Sequence, residues 1–419
     1  MNIKINPKPL SGTLDVIASK SLSHRYLIAA GLADGTSEIK NVLQANDLDA
    51  TKDALRAFCV TFDGNRVIGG KRLIAEKTVQ VKESGSTLRF MIPIYLLDNH
   101  EITIEGEGRL SQRPLKAYED IFASKKVVFE HPKNQSLPLT LKGKIKGGHY
   151  PIPGDVSSQF ISGLLFALPL RREDSVIELT TPLQSSGYVD LTLDVLKQFG
   201  IHILKVDQYY YIKGSQRYQP QQAVIEGDYS QAAFWIVAGL FGHDPITLHH
   251  LNPKSLQGDK AIVDIVKQMG GKIEQDDEKL TIYPSETKGI DIDLQDIPDL
   301  GPILMVLAAR SKGQTVIKNC ERLRLKESDR LAAMVDILTK LGVNISTKEH
   351  TVTILGQPSF KGHLILDSYH DHRIAMAIAI ASILADGPIT ILDASSVEKS
   401  YPTFFSDFKK LGGDIHDVR

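Results

Sequence analysis

The segment Arg322-Leu-Arg-Leu-Lys-Glu-Ser-Asp-Arg330 sets Arg322, Lys326 and Arg330 at every fourth position, with Glu327 beside Lys326. On a helix that spacing lines up one face, so the segment predicts a face of three cations followed by an amphipathic helix over Leu331–Leu341. Ser328 and Asp329 suit a helix start, where unpaired N–H groups and the macrodipole favour anions. Cations gathered at such an end fit a phosphorylated ligand. The same theme recurs along the chain. Lys20 and Arg25, Gly85 and Arg89, Ser157-Ser158-Gln159, Asp299, and His372-Arg373 stand where strongly apolar segments begin, and Arg113, Tyr188 and Lys399 stand before amphipathic ones.

The elements that carry these residues repeat. Asp194-Val-Leu-Lys-Gln-Phe-Gly200, Asp264-Ile-Val-Lys-Gln-Met-Gly270, Asp336-Ile-Leu-Thr-Lys-Leu-Gly342 and Phe405-Ser-Asp-Phe-Lys-Lys-Leu-Gly412 read as one amphipathic helix closed by glycine. Two degenerate copies end near Cys59 and Ser124. Alternating strands around polar turns follow several copies, over Val60–Ile68, Lys272–Tyr283 and Val343–Leu355. A second, more apolar helix family interleaves, beginning near Lys20, Gly85, Ser158, Tyr229, Asp299 and His372. The reading is six units of about 70 residues, three per domain. A helix apolar all round must be enclosed, so each domain is expected to wrap sheets and outer helices around three buried ones. Superimposable units would point many helix N-termini at one cleft, giving a local positive field fit for two phosphorylated anions.

The bulk numbers make that field local. Across 419 residues the formal net charge is -1, which argues against nucleic acid or an anionic membrane as a bulk partner. Two cysteines, Cys59 and Cys320, give neither a disulfide framework nor a metal-ligand spacing, and both are expected as small buried hydrophobes. The N-terminal residues lack the apolar core of a signal peptide. The apolar runs Phe160–Leu170 and Ile374–Ala385 are too short to span a bilayer. A soluble cytoplasmic protein is expected.

Read together, Ser19-Lys20-Ser21-Leu22-Ser23-His24-Arg25, Glu83-Ser84-Gly85-Ser86-Thr87-Leu88-Arg89, Gln112-Arg113-Pro114, Asp155-Val156-Ser157-Ser158-Gln159-Phe160, Ile297-Pro298-Asp299, Leu325-Lys326-Glu327-Ser328-Asp329-Arg330, Asp371-His372-Arg373 and Lys399-Ser400-Tyr401-Pro402 carry a resemblance. In their order and spacing the chain resembles the 5-enolpyruvylshikimate-3-phosphate (EPSP) synthase family. The resemblance implies an α/β protein with the two-domain enolpyruvyl transferase fold, an inside-out α/β barrel with three βαβαββ-like units per domain. It places residues 1–20 plus 227–419 in a discontinuous first domain and 21–226 in the second, with the active site in the cleft between them. The implied reaction moves the enolpyruvyl group of phosphoenolpyruvate to the 5-hydroxyl of shikimate 3-phosphate and releases phosphate, with no metal and no organic cofactor. A monomer, closure of the cleft on substrate and inhibition by glyphosate beside Gly85 are implied as well.

Residue by residue, the resemblance assigns Asp299 as base toward the 5-hydroxyl, and Glu327 with Lys20 to proton transfer at the methylene carbon and leaving phosphate. Lys20, Gly85, Arg113, Gln159, Arg330, Arg373 and Lys399 fall at phosphoenolpyruvate positions. Lys20, Ser21, Arg25, Ser157, Ser158, Gln159, Ser185, Asp299 and Lys326 fall on the shikimate 3-phosphate side, with Tyr188 against its ring. His372 reads as a structural partner of Asp371. Three residues depart from the family pattern. Arg322 and Glu83 each stand where asparagine occurs in relatives, and Phe90 stands where proline is common.

Two alternatives share the scaffold. An enolpyruvyl transferase acting on a UDP-sugar usually carries a reactive cysteine on a loop that corresponds to Glu105–Pro114, which has none here. A non-catalytic phosphometabolite sensor has no use for Asp299 and Glu327, and both are present.

Overall fold

A computed structural model describes residues 1–418. Among these residues twelve α-helices alternate in character. Six are buried over nearly their whole length: α1 (Lys20–Leu32), α3 (Gly85–Tyr95), α5 (Ser158–Ala167), α7 (Tyr229–Leu240), α9 (Gly301–Arg310) and α11 (His372–Ser382). Between them lie α2 (Asn46–Arg56), α4 (Lys116–Ala123), α6 (Ser186–Gln198), α8 (Ala261–Gln268), α10 (Arg330–Lys340) and α12 (Phe404–Lys410), which bury one face each. In α8, for example, Ile262, Val263 and Val266 face inward, the spacing of a single apolar stripe. The two apolar runs too short for a membrane are thus the interior helices α5 and α11, and no helix of the described residues is long and apolar enough to cross a membrane.

Each buried helix and its outer companion belong to a four-stranded sheet, and all six sheets share one strand order. The sheet of Asp291–Asp293, Gln314–Lys318, Thr351–Leu355 and Asn344–Lys348 shows it, in spatial order: the first two strands run parallel and the other two antiparallel. The parallel pair needs a crossover, which the buried helix supplies. Three sheets are completed by a strand distant in sequence. Gly12–Asp15 pairs in parallel with Ile246–His249, Asn2–Asn6 fits between Ile389–Leu392 and Asp414–Val418, and Gln222–Val224 pairs in parallel with Thr36–Lys40.

These returns divide the chain into two compact units, Met1–Ile17 with the chain from Glu226 onward, and Ala18–Ile225. The crossings lie at 17–18 and 225–226 rather than 20–21 and 226–227, so Lys20 opens α1 of the second unit instead of ending the first.

Outer helices α6, α8, α10 and α12 close on glycines in the left-handed conformation, with φ of 79°, 97°, 84° and 94° at Gly200, Gly270, Gly342 and Gly412. Two backbone hydrogen bonds repeat at each end, as from Gly342 N to Thr339 O and from Val343 N to Leu338 O, which satisfies carbonyls the helix leaves unpaired. In the degenerate copy α2 the same pair forms, but Cys59 takes the glycine place with φ 61°. Cys59 is therefore a half-buried helix-end residue rather than a core hydrophobe, while Cys320 is buried as expected. Burial pushes the Cys320 thiol up to about 12.

Candidate active site

In the first unit the functional side chains gather at the starts of α9, α10 and α11. Residues Glu321–Leu325 form a short 3-10 turn, Lys326 is extended, and α10 begins only at Arg330 with Asp329 as its cap, its side chain accepting from Ala332 N. The expected helical face of Arg322, Lys326 and Arg330 therefore does not exist. Two of its members meet by another route. Lys326 Nζ lies 2.9 Å and Arg330 Nη1 3.1 Å from Asp299 Oδ1, and Arg373 Nη2 lies 3.2 Å from Oδ2. Arg373 Nη1 also donates to the Asp299 carbonyl at 3.1 Å, while Nη2 donates to Ser230 Oγ at 2.9 Å. Burial pushes the Asp299 carboxyl up, but Arg373, Lys326 and Arg330 outweigh it and hold it well below the ordinary carboxylate range.

Arg330 is 1% exposed and organises the rest. It donates to Glu327 at 2.6 Å from Nη2 and to Asp371 Oδ2 at 2.8 Å from Nε. A buried guanidinium needs such partners, and despite burial Asp371, Glu327 and Asp299 raise its affinity for the proton. For Lys326 burial dominates, and the ammonium is lowered even with Asp299 beside it. Asp371 caps α11 by accepting from Arg373 N at 2.9 Å and also takes Ser328 N and Oγ, at 3.3 and 3.1 Å. Asp371 thereby sets the start of α11, the guanidinium of Arg330 and the loop that carries Lys326 and Glu327. From the sequence it stands out only as a partner of His372, which lies 3.9 Å away through Nδ1. Its position before His-Arg at a helix start was the available signal. Lys399 closes a 3-10 turn and donates to the His370 carbonyl at 2.7 Å, next to Asp371.

In the second unit a matching set gathers at the starts of α1, α3, α5 and α6. Gly85 is the first residue of α3. A Cβ there would lie 2.6 Å from Arg113 Nη1 and 3.5 Å from Arg89 Nη1, so the absent side chain lets the Arg113 guanidinium pack on the backbone. Gln159 joins this group, accepting from Arg89 Nη1 at 2.7 Å and donating to Ser86 Oγ at 2.9 Å. Ser157 caps α5 by accepting from Gln159 N, and Ser158 is buried in the first turn. Lys20 opens α1 and pairs with Asp47 at 2.5 Å. Asp47 is not among the residues singled out from sequence; its signal is a carboxylate in the first turn of an amphipathic helix.

Arg25 is more embedded than a ligand-facing cation. It donates to Thr192 Oγ1 and to the carbonyls of Ser21 and Tyr188, each at 2.8 Å, and burial lowers its guanidinium to about 10. Its guanidinium lies 6.0 Å from the Tyr188 ring centroid. Ser185 is buried and takes the cap position of α6 in the left-handed conformation, φ 56°. Of the departures, Glu83 lies where a side chain on Gly108 would clash with it. Phe90 is interior, edge-on to His24 and Phe166. Arg322 is near enough to Lys326 to help lower its ammonium.

Each unit thus carries its own set of cations, helix starts and small residues at equivalent places in the repeat, an arrangement suited to anions. Among the described residues no group of three or more His, Cys, Asp or Glu is placed to hold a metal ion. The sequence model of EPSP synthase (3-phosphoshikimate 1-carboxyvinyltransferase) matches residues 5–408. The chain belongs to the EPSP synthase family. It is 45% identical over 424 residues to the 3-phosphoshikimate 1-carboxyvinyltransferase of Clostridium acetobutylicum, covering 99% of this chain and 98% of that one. The Clostridium perfringens (strain ATCC 13124) protein of the same name is 42% identical, over 98% of each chain. Among solved structures, EPSP synthase from Acinetobacter baumannii aligns with a TM-score of 0.83 at 25% identity, over 99% of this chain and 100% of the other. The enolpyruvyl transferase NikO from Streptomyces tendae shares the fold, with a TM-score of 0.77 at 16% identity over 99% and 98% of the two chains. The enolpyruvyl transferase fold that the resemblance implies is the fold of these solved structures.

Proposed function

We propose that this protein transfers the enolpyruvyl group of phosphoenolpyruvate to the 5-hydroxyl of shikimate 3-phosphate and releases phosphate, a step of aromatic amino acid biosynthesis. The observation that carries the chemistry is the meeting of Lys326, Arg330 and Arg373 at Asp299. With its carboxyl held so low, Asp299 is ionised but weakly basic. Anionic substrates that engage Arg330, Arg373 and Lys399 would relieve that charge and return basicity to Asp299. Asp299 then accepts the hydroxyl proton as the oxygen adds to the substituted carbon of the enol phosphate. Glu327 or Lys20 delivers a proton to the methylene carbon, giving a tetrahedral intermediate. Return of a proton from the new methyl group to Glu327 or Lys20 expels phosphate, which takes up the proton held by Asp299, and restores the double bond, so protons balance over the cycle.

In this reading Lys20, Gly85, Arg113, Gln159, Arg330, Arg373 and Lys399 hold phosphoenolpyruvate, and arginine forks match its carboxylate and phosphate oxygens. Lys20, Ser21, Ser157, Ser158, Gln159, Ser185, Asp299 and Lys326 serve the acceptor, with Arg25 acting mainly through Ser21 and Tyr188. Both units then serve one pair of substrates. A cytoplasmic monomer without metal or organic cofactor completes the reading. A UDP-sugar acceptor is disfavoured by the absence of cysteine from Glu105–Pro114.

Phosphate release from phosphoenolpyruvate with each acceptor is the test. Turnover is expected with shikimate 3-phosphate and not with UDP-N-acetylglucosamine, and the reverse result would overturn the proposal.

A further inference from the structure

A chain of neutral hydroxyls lies within the second unit and joins the three helices that carry Lys20, Asp47 and Gly85. Thr51 Oγ1 on α2 and Thr87 Oγ1 on α3 are 2.6 Å apart, Ser84 Oγ is 2.7 Å from Thr87 Oγ1, and His24 Nδ1 on α1 is 2.7 Å from Thr51 Oγ1. Ser84, Thr51 and Thr87 are fully buried, and His24 is 1% exposed. Both threonine hydroxyls also approach the Asp47 carbonyl, at 3.3 and 3.4 Å. The Asp47 carboxylate in turn holds Lys20.

Three hydroxyls bring three hydrogens, and each short contact can be filled once in either sense, from Ser84 toward His24 Nδ1 or from the imidazole toward Ser84. The geometry is the same in both senses, with a neutral His24 at its end. Burial first, and then the charges of Lys20 and Arg25, keep its imidazole well below the ordinary histidine range.

Polar groups in an apolar interior cost free energy unless satisfied, and their return is a defined geometry. Ser84 is the cap of α3 and Gly85 its first residue, so the position of Thr87 sets both. We infer that His24, Thr51, Thr87 and Ser84 are positioning residues, fixing the start of α3 at Gly85 and, through Asp47, the ammonium of Lys20 for phosphoenolpyruvate. The inference rests on the function proposed above.

The test is the double variant Thr51→Val/Thr87→Val, which keeps shape and removes both partners of the central contact. Ser84 Oγ and His24 Nδ1 each lose a partner, so its thermal midpoint should fall by several degrees. Its kcat/KM for phosphoenolpyruvate should fall about tenfold or more through misplacement of Gly85 and Lys20, while KM for shikimate 3-phosphate, which shares only Lys20 of these two, should rise by clearly less. The pair Thr51→Ser/Thr87→Ser keeps the hydroxyls and should restore donor kinetics. If the double valine variant does not fold, Thr87→Val alone carries the same comparison. Donor kcat/KM near the wild-type value overturns the inference, as does an equal loss for both substrates. A wild-type enzyme that does not use these substrates overturns the function itself, which separates the two failures.

Discussion

Asp299 meets three cations, Lys326, Arg330 and Arg373, and the proposed chemistry turns on that meeting. In the proposed reaction Asp299→Asn loses the base and keeps the shape, so kcat should drop about 10²–10⁴-fold. Affinity for shikimate 3-phosphate, measured by calorimetry, should change only a few fold, and near-normal turnover would remove Asp299 from its role. Asp371 works differently. Burial pushes its carboxyl up, but Arg330 prevails and holds it below the usual range. Its folded value therefore lies under the unfolded one, so its stabilisation is present above about pH 3.9 and is lost as pH falls through the depressed value. Asp371→Asn should cost about 2–3 kcal/mol at neutral pH, and its urea midpoint should vary less with pH on the acid side than that of wild type. Asp299, Glu327, Arg330 and Arg373 stand out in the sequence by type and by place in the repeat, and the fold brings them together. Asp371 as a hub does not stand out, since its weight comes from Arg330 and Ser328, which only the fold brings to it.

At the scale of elements, periodicity and glycine closure located the helices well. The stretch from Arg322 to Arg330 misled because its cation spacing is helical while its backbone is not: Ser328 N donates to Asp371 across the fold. Cys59 shows what the lost glycine costs α2. A residue with a side chain in the left-handed region is strained, so Cys59→Gly should raise stability by up to about 1 kcal/mol, read as a higher urea midpoint. Gly85 is the opposite case. A methyl group there must displace the Arg113 guanidinium, 2.6 Å from the Cβ position. Gly85→Ala should therefore raise KM for phosphoenolpyruvate with little effect on stability, and it should weaken inhibition by glyphosate, the longer molecule, further still. Equal inhibition curves for wild type and Gly85→Ala would show that the donor does not lie beside this residue.

For the whole molecule, the sixfold repeat was readable because each copy must rebuild the same buried helix and the same amphipathic helix. The exchange of strands was not. Asn2–Asn6, Gly12–Asp15 and Gln222–Val224 are too short to announce distant partners, and their pairing is decided by tertiary packing. If two sets of cations, one per unit, serve the same anions, binding should draw the units together. Small-angle scattering should then show a smaller radius of gyration with shikimate 3-phosphate and a phosphoenolpyruvate mimic than without them, and an unchanged value would contradict this. Addition followed by elimination has its own isotopic signature. A proton enters the methylene carbon and one leaves the resulting methyl group, so turnover in D2O must place deuterium in the vinyl group of the product. NMR of the enzyme with shikimate 3-phosphate and phosphoenolpyruvate in D2O should show one phosphate released per enolpyruvyl ether formed, with deuterium at the vinyl carbon. Product without deuterium, or no product, would contradict the account.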